Sequence, residues 1–147
     1  MHLNWFSFDE GFALSLPDVF VFDVPVGIET ENELLLAYAF GMGFPSYFGY
    51  NWDALWDCLT SRENLEGRPV AIRHRDVPLL KVTDQCQIYL ELLIDAVDES
   101  RRPETGDSDM FVIFPASAKR QLEVLHHRSI WFERHPDFAD QKELGSD

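Results

Sequence analysis

Basic residues are the first scarcity in this chain: Lys and Arg number 12 against 26 Asp and Glu, a formal charge of −14. Phosphate backbones and anionic membranes repel such a molecule, which sets aside direct nucleic-acid binding and favours a basic partner, steered in fastest at low salt. Cysteine is as sparse. Cys58 and Cys86 make neither a disulfide framework nor a metal motif, and two buried thiols in a cytosolic protein is a simpler reading than one bridge. No apolar run approaches the roughly 18 residues of a membrane span. The first residues lack a basic segment and are interrupted by Asp9 and Glu10, so no signal peptide is expected and the chain is assigned to the cytoplasm.

Catalytic companions are missing too. There is no Gly-rich phosphate loop and no nucleophile paired with a base. Asp53 and Asp57 are a carboxylate pair, and a small hydrolase using them ranks last for want of any partner group. His126 and His127 are adjacent, so on a helix they diverge by about 100° and do not share a metal with ease. His135 and Asp137 lack ligand spacing. No cofactor or metal is therefore expected. Cys58 stands beside Asp57, whose charge raises rather than lowers a thiol pKa, and reads as a structural residue.

What remains is a 147-residue chain suited to one domain, 46% hydrophobic and 26% charged, with 14% aromatic residues, a high share that could serve an interface as well as a core. Residues 1–17 alternate aromatic and acidic character, and their sequence leaves a short added strand or hairpin undecided. Residues 19–24 form an apolar run that predicts a strand covered on both faces. Thr30 and Glu33 have capping-box spacing, and a buried helix follows, stopped by Gly41, Gly43 and Pro45. A second strand is predicted at 69–73. A long helix follows over 83–100, with Cys86, Leu90, Leu93 and Val97 on one face, and then a third strand at 110–114. A last helix starts near Ala116, with Leu122, Leu125 and Phe132 on one face and Lys119, Arg120, Arg128 and Arg134 as its basic residues; Arg134, His135 and Pro136 close it. Strands alternating with helices indicate an α/β unit with a small parallel sheet.

The distinctive stretch is Pro45–Thr60, which gathers five aromatics around two carboxylates without a cation. Asn51 suits a helix N-cap, and Asp53 would lie in the first turn, where the helix dipole favours negative charge. Asp57 follows four residues later. Like charges so spaced cost a helix roughly 0.2–0.5 kcal/mol, so local stability does not explain Asp57, whereas a cationic partner does. The residues alone leave two readings level: a core-anchored helix with a solvated acidic face, or an acidic-aromatic hot spot for a cationic cleft.

Pro45-Ser46-Tyr47-Phe48-Gly49-Tyr50-Asn51, followed by Asp53-Ala54-Leu55-Trp56-Asp57-Cys58-Leu59-Thr60, closely resembles the signature of the barstar family of intracellular ribonuclease inhibitors. The resemblance is tight at 44–60 and extends by pattern over about residues 19–115. It implies a three-stranded parallel sheet packed with helices, flanked by extensions at 1–18 and 116–147. It also implies a binding role without catalysis, in which a carboxylate mimics RNA phosphate inside the active site of a basic ribonuclease or nuclease toxin. Asp57 matches that carboxylate and Asp53 a second interfacial acid. Tyr47, Gly49, Asn51, Trp56 and Thr60 match contact positions, and Asp95 in the long helix matches a further acidic contact. Trp52 belongs to the same surface but replaces a smaller apolar residue, Tyr50 replaces a polar one, and Arg62 falls near an aromatic contact position, where a cation sits awkwardly against a basic target. These departures bear on barnase itself as the target rather than on a nuclease of its general kind. A barstar-like adaptor of another basic protein, with the last helix making its own contact, is the alternative.

Overall fold

The apolar run after Pro17 becomes a strand because its β-branched and aromatic residues fit a pleated, half-buried surface. In the computed structural model, which describes residues 5–9, 11–106 and 108–134 apart from the side chains of 64 and 127–134, this strand is the edge of a four-stranded parallel sheet. The elements in chain order are β1 (Phe6–Ser7), α1 (Gly11–Leu14), β2 (Phe20–Val24), α2 (Glu31–Gly41), α3 (Trp52–Ser61), β3 (Val70–His74), α4 (Thr83–Glu99), β4 (Met110–Ile113) and α5 (Lys119–Arg134). The strands lie in the order β1-β4-β3-β2. The three strands expected from the sequence are therefore joined by a fourth. Phe6 and Ser7 pair with Val112 and Ile113, and the N-terminal segment adds to the sheet rather than folding as a hairpin.

One sheet face carries Phe22, Val24, Val70, Ile72, Met110 and Val112 into the main core, which Leu34, Leu35 and Tyr38 of α2, Leu55 and Leu59 of α3, and Leu90, Leu93 and Val97 of α4 complete. Alternation sends Val21, Ala71, Phe111 and Ile113 to the other face, where, among the described residues, α1 supplies cover through Ala13 and Leu14. The expectation that residues 19–24 are covered on both faces is thus corrected. Phe20 and Val21 are half-buried, and Asp23 is exposed, pairing with Arg73 directly opposite on β3. That guanidinium holds the Asp23 carboxyl below its ordinary range.

Helix α2 begins with the capping box foreseen from Thr30 and Glu33: the Glu33 N–H donates to Thr30 Oγ1 at 3.1 Å and Glu33 Oε1 accepts from the Thr30 N–H at 3.1 Å. It is buried on one face only, with Phe40 83% exposed. Gly41 ends it where the Phe22 ring lies against the backbone; a Cβ there would fall 2.0 Å from Phe22 Cε1. Gly43, at φ 65°, then turns the chain toward the next segment.

The last helix begins as expected, with a 3-10 turn at Ala116–Ala118 leading into α5 and Leu122 buried. The side chains of His127, Arg128, Trp131, Phe132 and Arg134, and all of His135, Pro136, Asp137 and the tail, lie outside the described residues. Among the described residues no helix is long and apolar enough to cross a membrane.

Candidate functional site

The segment between α2 and α3 is tied to the core by a run of rings. Phe44 stacks on the buried Tyr38 with centroids 6.4 Å apart, Phe48 lies 5.0 Å from Phe44, and Tyr50 lies 4.8 Å from Phe48. Phe48 is buried, its N–H donating to the Pro45 carbonyl, whereas Tyr47 is 79% exposed. Tyr50 takes a left-handed backbone, φ 52°, and leaves part of its ring in solvent. Side chains from this short segment thus divide between anchor and surface.

Asn51 starts α3 as its spacing promised. Its Oδ1 accepts the Ala54 N–H at 2.7 Å, and its carbonyl accepts the Leu55 N–H. Leu55 and Leu59 are fully buried and fix one face of the helix. Trp52 and Trp56 are half-buried against the same core, with Trp52 lying 6.3 Å from the Tyr89 ring. Asp53 and Asp57 point outward. Neither forms an ion pair with another described residue. Thr60 folds its hydroxyl back to donate to the carbonyls of Trp56 and Asp57. Gly49 sits just before the cap, where an added Cβ would meet Asn51 Nδ2 at 3.4 Å.

The residues of this stretch divide between core and surface. Phe48, Leu55 and Leu59 are core; Trp52 and Trp56 bridge core and surface; Tyr47, Tyr50, Asp53 and Asp57 face solvent. These positions share one loop and one helix. Asp95 stands apart on α4, exposed on the helix against which α3 packs. Cys58 is half-buried rather than buried, and Cys86 is buried; both are free thiols. Burial, with the Asp57 charge beside it, pushes the Cys58 thiol up, and burial raises Cys86 to about 11, so neither is poised as a nucleophile.

Sequence spacing did not foresee the position of Arg62. Its guanidinium turns inward, donating to Asp109 Oδ1 at 2.6 Å and Ser100 Oγ at 3.4 Å, with the side chain only 11% exposed. The expected clash between this cation and a basic target therefore loses its footing, because Asp109 neutralises the charge inside the protein. Asp109 lies 47 positions downstream, and no local signal couples the two.

A search of curated proteins finds no match. A family model described as Barstar (barnase inhibitor) matches residues 18–114, a span that holds β2 through β4 and the whole acidic-aromatic segment but leaves out β1 and α5. The chain belongs to the barstar family.

Proposed function

From that membership we propose that this chain inhibits a basic ribonuclease by laying the loop 45–50 and the outer face of α3 over the active site. Asp57 enters the phosphate position and Asp53 makes a second acidic contact. Tyr47, Gly49, Asn51, Trp52, Trp56 and Thr60 line the surface, with Asp95 at its edge on α4. The chain works by occupancy and not by catalysis, in the cytoplasm of the cell it protects, against its own ribonuclease or a nuclease toxin.

One observation carries the reading. Two exposed carboxylates, one turn apart on a helix held by its cap and two buried leucines, have no cation beside them among the described residues. Like charges left so are tolerated where their partner comes from outside, and a nuclease cleft built for a polyanion supplies it. The test is titration of the purified protein into basic ribonucleases, barnase among them, following RNA cleavage and binding heat. Saturable inhibition that fails in Asp57→Ala supports the reading; wild-type protein that inhibits none of them overturns it.

The adaptor alternative draws on a different element, α5, which lies beyond the matched residues and leaves Val124 60% exposed. Co-expression separates the two. Rescue of cells from a nuclease by the chain, lost in Asp57→Ala, belongs to the inhibitor alone.

A further inference from the structure

The end of α3 is built around a charged group that a merely stable fold does not require. Arg62 caps the helix with its N–H donating to the Cys58 carbonyl, in a left-handed backbone at φ 43°. That conformation is unfavourable for a residue with a Cβ. Its side chain joins three chain ends. Asp109 immediately precedes β4 and accepts the Val70 N–H on its carbonyl, which ties it to the start of β3. Ser100 is the C-cap of α4. The guanidinium thus couples the last turn of α3, where Asp57 and Thr60 lie, to two strands and the neighbouring helix.

The fit is not what stability alone selects. Nε of Arg62 is buried without an acceptor, and an orphaned donor lowers stability. Buried ion pairs replaced by well-packed apolar groups often leave a protein as stable as before or more so. What the pair gives instead is direction. One guanidinium nitrogen, Nη2, donating to both Asp109 Oδ1 and Ser100 Oγ ties the helix end to two other chain ends in one geometry, and surfaces fixed before encounter bind better because less is ordered on binding.

We propose that Arg62 is a positioning residue for the α3 surface. It holds the last turn of the helix in its binding geometry before the partner arrives, while Asp109 keeps the positive charge out of the acidic face. The proposal rests on the inhibitor reading for its purpose but not for its geometry, and the experiment separates the two.

The variants are Arg62→Met with Asp109→Leu, which replaces the ion pair by apolar groups, and Arg62→Lys, which keeps the charge and loses the planar guanidinium. Amide hydrogen exchange on the free protein, melting temperature, and dissociation kinetics from the inhibited ribonuclease are read in parallel. In the apolar pair, exchange at Leu59–Arg62 is expected to rise at least about tenfold with the sheet amides unchanged. The melting temperature stays near that of the wild type, and dissociation accelerates about tenfold. Arg62→Lys falls between. Unchanged exchange in the last turn, or exchange rising throughout the core with a falling melting temperature, overturns the proposal. Should the apolar pair not fold, Arg62→Lys decides by the same contrast between the last turn and the sheet. If the wild type holds no ribonuclease, the inhibitor reading fails, and the exchange measurement still decides whether Arg62 fixes the helix end.

Discussion

Asp53 and Asp57 stand one turn apart on the outer face of α3, and neither meets a cation among the described residues. Their mutual repulsion is a small local cost that the helix bears through its cap and its buried leucines. A residue kept at some cost to its own helix separates stability from function in a measurable way.

Asp57→Ala should leave the free protein as stable as the wild type or slightly more so, by about 0.2–0.5 kcal/mol, the scale of a like-charge pair at this spacing. The same change should weaken the complex with the target ribonuclease by more than about 2 kcal/mol, because the cations of the cleft lose their counter-charge. Urea unfolding and titration calorimetry on one preparation read both quantities. A loss of stability as large as the loss of affinity would return Asp57 to the fold.

Asn51 carries the opposite expectation. Its Oδ1 satisfies the Ala54 N–H at the free end of α3, so Asn51→Ala should cost about 1 kcal/mol of unfolding free energy. Asn51→Asp should recover most of it, since Asp caps as well as Asn. Denaturant midpoints of the three proteins check the order.

Beneath the site lies a chain of hydrogen bonds whose direction is fixed by its last acceptor. The Ile113 carbonyl only accepts, so His74 Nδ1 carries the proton and donates to it at 2.9 Å. Nε2 then accepts from the Tyr89 hydroxyl at 2.7 Å, and Tyr89 in turn accepts from Tyr38 at 2.6 Å. Three elements of the core, α2, α4 and β3, are thereby linked to β4. A second proton on His74 would break the chain, and burial accordingly holds its imidazole down at about 4, against an ordinary 6.5.

The unfolded chain therefore takes up that proton first as pH falls. The stability this group confers is whole above about pH 6.5 and drains away toward about pH 4, a loss on the order of 3 kcal/mol. Urea unfolding of the wild type and of His74→Gln across pH 7 to 4 isolates it, because other acid-sensitive groups act alike in both. Equal slopes in the two proteins would show that His74 does not carry the effect.

The contrast between Thr30 and Arg62 explains how much of this molecule could be read beforehand. Thr30 and Glu33 act on each other within one turn, as Asn51 does on Ala54, and such local pairs are written in the spacing. Apolar periodicity likewise predicted a helix over 83–100, observed at Thr83–Glu99, and its buried face through Cys86, Leu90, Leu93 and Val97. Pairings across the fold left no such mark. Asp98, near the negative end of α4, accepts Trp5 Nε1 at 2.9 Å and Arg101 Nε at 3.1 Å, and the first of these partners lies 93 positions away. The fourth strand depends on two residues, Phe6 and Ser7, too few to show an alternating pattern. Within the site, the aromatic and acidic composition marked the segment. Which of its rings were anchors depended on Tyr38, Tyr89 and the core they share.

Gly49 offers the sharpest separation of fold from contact. Its backbone does not adopt the left-handed conformation, and an added Cβ would make only ordinary contacts, at 3.4 Å from Asn51 Nδ2 and 3.7 Å from Ala54 Cβ. Nothing in the free protein therefore demands glycine at this position. Gly49→Ala should be neutral or stabilising by about 0.4–1 kcal/mol, through the reduced freedom of the unfolded chain. Should the partner's surface close directly onto this backbone, as proposed, the same methyl group stands in its way and affinity falls while stability rises. Unfolding and binding measured on the one variant test this directly, and an unimpaired affinity would move the contact surface off the loop and onto the helix alone.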